Sequence, residues 1–262
     1  MNPQISDDSE DGRTSESCEN SSHKEEKMLT PRLEAIAEMV DQGATLADIG
    51  TDHGYLPLAL LNRGVIESAI AADVNEKPLE SAKRNTPENL KGHMQFRLGN
   101  GLEPILEGEV DQIVIAGMGG ELIGQILSAD WKKTRSFASL ILQPMVKVSY
   151  LREFLKDNGF CIVDETMVQE GNKFYQIMKV KHGQEQELEP IHLEIGAGII
   201  EKGGSALDAF LAFRISRIDR ILSQLDQCGK EKEQERQMWK QKRQELVEVK
   251  RNVGARNHSN HQ

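Results

Sequence analysis

The sequence is most informative at first for what it has little of. Its 262 residues contain three cysteines, Cys18, Cys161 and Cys228, too scattered for a disulfide framework or a thiolate cluster. They suggest a reducing, cytoplasmic setting, and no metal site is expected. Apolar runs fall short of the roughly 20 residues that cross a bilayer, so no membrane span is expected. The glycine clusters match neither GxGxxG nor a loop ending in Gly-Lys-Ser/Thr, which disfavours a dinucleotide or a nucleoside triphosphate. The first 27 residues have almost no apolar side chains and read as a disordered acidic tail rather than a signal peptide.

Positive charge is scarce overall, with a formal net charge of -10, but its distribution is uneven. Residues 1–27 carry -5, residues 28–204 carry -9, and residues 205–262 carry +4. Charge acts over about a Debye length, roughly 8 to 10 Å, so a basic C-terminal segment remains compatible with a nucleic-acid partner.

Periodicity supplies the architecture. Thr30-Pro31 reads as the cap and first turn of a short helix carrying Leu33, Ile36, Ala37 and Val40. Strand-like runs at 44–50, 67–73, 94–99, 111–117 and 139–144 alternate with helical ones at 55–63, 77–85, 120–129 and 149–158, which predicts a parallel α/β sheet. Runs 160–168 and 173–181, joined by Glu170-Gly171-Asn172, predict a closing hairpin. The resulting domain spans 28–182, followed by a linker over 183–204. Leu207, Leu211, Arg214, Ile218, Ile221 and Leu225 fall at heptad spacing. With a turn at Cys228-Gly229 and a charged second helix bearing Met238, Leu246 and Val249, they predict an antiparallel helical hairpin over 205–250 and a disordered end at 251–262.

Candidate chemistry collects at strand ends, where an open parallel sheet forms its ligand crevice. Asp48, Gly50, Asp52, His53 and Gly54 follow the first strand; an acid beside the glycines suits a cationic ligand better than a pyrophosphate. Asp73, followed by Val74, ends the second strand and is placed to accept ribose hydroxyls. Asn100-Gly101 ends the third, where an amide can meet an adenine edge. Ala116, Gly117, Met118 and Gly119 end the fourth as a floor for a flat base, and Gln143-Pro144 borders the crevice from the fifth. Each has a plainer explanation, since Asp48 and Asp73 also suit turn or helix caps and His53 a satisfied loop position. It is their joint placement that points to a nucleoside site.

Six segments together resemble the bacterial tRNA (adenine-22-N1)-methyltransferases: Leu29 to Leu33, Leu46 to Pro57, Ala69 to Val74, Arg97 to Leu102, Ile115 to Ile123, and Leu140 to Pro144. The resemblance implies a class I methyltransferase, Rossmann-like, with a seven-stranded sheet whose last strand is antiparallel and a C-terminal coiled-coil hairpin. It also implies S-adenosyl-L-methionine as cofactor, held between Asp48 and Gly54 and by Asp73, Val74, Asn100, Gly101, Ala116 and Gly117. Two positions depart from the family pattern: Asn100, where an Asp is usual, and Met145, where an Asn is common.

The activity so implied is methyl transfer to N1 of adenosine 22 in the tRNA D-arm, with positioning ranked above acid–base chemistry and Asp52 or His53 as proton acceptor. Arg32, Arg214, Arg217, Arg220, Lys240, Lys242 and Arg243 are the RNA-contact candidates. The alternatives are a methyltransferase acting on another RNA or a small molecule, a catalytically silent tRNA binder, and, more distantly, an NAD-dependent oxidoreductase. A monomer is expected, with dimerisation through the hairpin as the other arrangement.

Overall fold

A computed structural model describes residues 28–183, 189–227 and 232–259, with side chains through 255. The acidic tail, the Cys228-Gly229 turn and the last three residues lie outside this set. The chain begins with α1 (Pro31–Ala37), capped by the Thr30 side chain, which accepts from Leu33 N at 3.4 Å. Then follow β1 (Ala44–Ile49), α2 (Tyr55–Asn62), β2 (Ile66–Asp73), α3 (Glu76–Asn85), a 3-10 turn (Glu88–His93) and β3 (Met94–Leu98). The second half contains β4 (Gln112–Gly119), α4 (Gly120–Ser128), α5 (Trp131–Ser136), β5 (Ser139–Val146), α6 (Val148–Asp157), β6 (Phe160–Glu170) and β7 (Lys173–His182).

The sheet order is β3-β2-β1-β4-β5-β7-β6, with β1 to β5 parallel and β7 antiparallel to both its neighbours. This is the seven-stranded sheet expected from the sequence. Both faces of the central strands are covered. Leu46 and Val114 face the α1/α2/α3 side, while Ala47, Ile113 and Ile115 face the side closed by α4 and α6. Chain order reverses between β1 and β4, which opens the crevice at their C-terminal ends. Gly171, at φ +59°, supplies the positive φ for the tight β6–β7 turn.

The C-terminal part differs from its sequence outline in three ways. Residues 190–204, expected within a linker, form α7 (Pro190–Glu194) and α8 (Ala197–Lys202), with Ile195 and Ile199 buried. The last two helices are α9 (Ser205–Leu225) and α10 (Glu233–Ser259), so the second runs past residue 250 and buries Val253. Met238 is 56% exposed; its neighbour Trp239 packs inward instead, because the apolar face of α10 passes through Trp239, Leu246 and Val253.

The two helices are antiparallel: Arg236 Nε meets Asp226 at 3.0 Å and Arg243 Nε meets Asp219 at 2.6 Å. Their core is shared with Met167 of β6, Ile195 and Ile199, which fuses the hairpin to the sheet edge.

Candidate active site

The first strand delivers a buried acid to the crevice. Asp48 is 7% exposed at the end of β1, and burial pushes its carboxyl up to about 6. The Thr51 hydroxyl opposes the shift, Asp52 and Asp73 add to it, and Arg32 opposes it more weakly. Gly50, at φ +76°, keeps this loop flat; a Cβ there would lie 2.2 Å from the Met118 methyl. Met118 thus braces the β1 loop from β4 while Ala116 and Gly117 line the cavity.

That cavity, about 330 Å³, gathers Asp48, Gly50 and Asp52 from the β1 end, Ala116 and Gly117 from β4, and Met145 from β5. Arg32, Leu33, Leu56, Glu170 and Tyr175 complete it. The last four were missed in the sequence. Tyr175 and Glu170 sit on the closing hairpin, and nothing in a β pattern reveals that its turn end folds over the switch point.

Arg32 reads differently here from its role as a surface RNA contact. Its guanidinium lies 5.6 Å from the Tyr175 ring centroid and donates from Nη1 to Gln143 Oε1 at 3.1 Å. Gln143 is fully buried, and its Oε1 also accepts from Gly117 N at 3.1 Å while its Nε2 donates to the Pro144 carbonyl at 2.8 Å. Its amide therefore fixes Arg32 and the β4 end and is committed before any ligand arrives.

The other candidates are less convergent. His53 takes φ +58°, its Nδ1 bonds Ser81 Oγ at 2.5 Å, and its Nε2 lies 3.2 Å from Asp52 Oδ1. Both ring nitrogens are thus engaged, and His53 does not line the cavity, whereas Asp52 does. Gly54 packs α2 on α3, its φ being +70° and a Cβ there meeting that of Ala82 at 2.9 Å.

Asp73 Oδ1 accepts from Asn75 N at 2.7 Å, and its other oxygen has no hydrogen bond among the described residues. Val74 is exposed. Asn100 and Gly101 line a neighbouring pocket of about 300 Å³ with Leu122, Ile126 and Lys133. Gly119 has ordinary surroundings; Gly120 is the constrained one, since a Cβ there would meet the Lys147 carbonyl oxygen at 2.4 Å.

Of the helical RNA candidates, Arg217, Arg220 and Lys240 are exposed and free of salt bridges among the described residues. Arg214, Lys242 and Arg243 are instead engaged: Arg214 lies 3.4 Å from Glu194, Lys242 lies 2.9 Å from Glu194, and Arg243 pairs with Asp219. These pairs secure the hairpin, so the three side chains have structural work to do.

A methyltransferase-domain family model matches residues 29–178. The Bacillus subtilis (strain 168) tRNA (adenine(22)-N(1))-methyltransferase is 40% identical over 159 residues, which cover 60% of this chain and 67% of that protein. This chain belongs to the tRNA (adenine-22-N1)-methyltransferase family. The Bacillus subtilis m1A22 tRNA methyltransferase TrmK superposes with a TM-score of 0.74 at 31% identity, covering 85% of this chain and 99% of its own. A Streptococcus pneumoniae protein assigned as a tRNA (m1A22) methyltransferase, solved with S-adenosyl-L-methionine, gives 0.76 at 38% identity, covering 85% and 100%.

The residues present fit that cofactor in this methyltransferase. Asp48, Asp52 and Asp73 suit its cationic centres and ribose, and a phosphate-rich ligand would be repelled. The buried Thr51 hydroxyl, beside the Asp48 carboxyl, is a further polar group at the same strand end.

Proposed function

We propose that this protein transfers a methyl group from S-adenosyl-L-methionine to N1 of adenosine 22 in the D-arm of tRNA. The observation that carries the reading is the buried Asp48 facing a cavity that opens onto the turn end of β6 and β7, in a chain of this family. When bound, the cofactor supplies an electrophilic methyl on a sulfonium centre. Asp48, Asp52 and Asp73 would hold its cationic and ribose parts, Asn100 and Gly101 its adenine, and Arg32, the cation of the cavity wall, its carboxylate.

The chain's own residues then orient the target base. Adenine presents N1 as an acceptor beside an exocyclic amino donor, so the complementary wall is an acceptor. Glu170 Oε2 is buried, lines the cavity and makes no hydrogen bond among the described residues. We assign it to the amino group, where its negative charge also stabilises the cationic product. Gly117 leaves room for the base against the β4 end. N1 lies on the pairing edge, so the nucleotide enters unpaired or turned outward.

Arg217, Arg220 and Lys240 are the proposed phosphate contacts, and a monomer working in the cytoplasm is the proposed setting. The test for the base contact uses tRNA in which the target adenosine is replaced by purine riboside, which lacks the amino group. Wild type should lose about 10- to 100-fold in kcat/KM, the size of a charged hydrogen bond. Glu170→Ala should erase that discrimination; an undiminished ratio in the variant removes Glu170 from the role.

A further inference from the structure

A second cleft of about 370 Å³ lies between the β5–α6 turn and α9, and the methyl-transfer reading does not use it. It shares Met145 with the transfer cavity, so the two hollows adjoin at the end of β5. Its walls are unusually aromatic for this chain. Tyr150 opens α6, Phe174 lies on β7 and Phe210 on α9, and Phe213 extends the surface; together they are four of only twelve aromatic side chains.

The rings are held but not covered. Phe174 meets Phe210 edge-on at 5.5 Å and Phe213 at 5.9 Å, while Tyr150 is 41% and Phe213 45% exposed. Arg214 lies 5.8 Å over the Phe210 ring, and Lys147, held at φ +59°, stands at the other rim. One carboxylate lines the cleft, Glu194, and it is matched by Arg214 and Lys242; Lys147 also reaches Glu121, outside the lining, at 3.5 Å. Lys147 and Arg214 against Glu194 leave the lining net positive.

Exposed rings beside cations are the chemistry of a platform for an unpaired base and its phosphate. Position favours the same ligand. The proposed phosphate contacts lie on the hairpin and the target base enters at the sheet, so a strand joining them passes the β5–α9 junction. We propose that this cleft stacks a nucleotide immediately next to the methylated adenosine, holding the turned-out strand while the target occupies the neighbouring cavity. The proposal rests on the tRNA reading above.

The experiment uses the full chain and tRNA transcripts, intact or with an abasic residue immediately 5′ or 3′ of the target adenosine. Wild type on intact tRNA is measured first. No transfer there, with cofactor binding intact, overturns the tRNA reading and this proposal with it. Given transfer, one of the two abasic tRNAs should lose about tenfold in kcat/KM, within the range of one stacked base. Tyr150→Ala and Phe213→Ala should each lose about as much on intact tRNA, lose little more on that abasic tRNA, and bind S-adenosyl-L-methionine as wild type does. Abasic tRNAs methylated as well as intact tRNA, or losses that multiply when the variant meets the abasic residue, overturn the cleft's role. Thermal unfolding of both variants, expected near wild type because both side chains are partly exposed, separates a folding defect from a lost contact.

Discussion

At the scale of single residues, Asp48 carries the sharpest consequence. Its folded pKa of about 6 lies above the ordinary carboxylate value, so the folded state binds its proton more tightly than the unfolded chain does. The sign follows: the ionised carboxylate burdens the cofactor-free fold above pH 6, and the burden eases as pH falls from about 6 toward 4. Asp48→Asn should therefore raise the melting temperature by roughly 5 °C at pH 7.5 and leave it unchanged near pH 4. The same change should cost at least tenfold in cofactor affinity by calorimetry, and wild-type affinity should itself fall below pH 6. A variant that is neither stabilised nor impaired at neutral pH would contradict the burial argument. The identity of this acid was legible in the sequence from its place after the first strand. That Gln143 is committed to Arg32 and Gly117 was not, because a buried side-chain network depends on contacts 26 and 111 residues apart.

At the scale of elements, the βα alternation was legible because each strand and helix carries its own period, and boundaries moved by only a residue or two. The segment from 190 to 204 was not, since its two short helices lack a long apolar stripe and are held by a buried polar cluster. Arg152 and Glu165 pair at 2.6 Å with almost no exposure, Glu165 Oε1 accepts from Gly198 N at 2.7 Å, and Arg152 Nη2 donates to Gln176 at 2.9 Å. Gln176 in turn donates to the Glu194 carbonyl at 2.8 Å, joining α6, β6 and β7 to the base of the hairpin.

Arg152→Met leaves Glu165 buried without its partner and should destabilise by about 3 to 5 kcal/mol. Hydrogen exchange in α8 and α9 should rise first. Protection in these helices equal to wild type would show that their docking does not depend on the pair. Gly196→Ala should be comparably harmful, since a Cβ there would lie 1.9 Å from the Glu165 carboxylate.

At the scale of the whole molecule, a net charge of -10 and a nucleic-acid substrate are reconciled by segregation: the excess of acids lies in residues 1–204, and residues 205–262, which include the hairpin, carry the excess of bases. Because that hairpin shares its core with β6, removing it would expose the apolar sheet edge, and point changes probe it better. Arg217→Glu, Arg220→Glu and Lys240→Glu together should weaken tRNA binding at least tenfold and flatten its salt dependence, with cofactor affinity unchanged. An unaltered salt slope would place the phosphates elsewhere.

The most direct test of the account is transfer of tritium from labelled S-adenosyl-L-methionine to unmodified tRNA transcripts, followed by digestion to nucleosides. Label in 1-methyladenosine, lost when adenosine 22 is replaced, is the predicted result. Label in another nucleoside, or none from a protein that binds the cofactor, would contradict it.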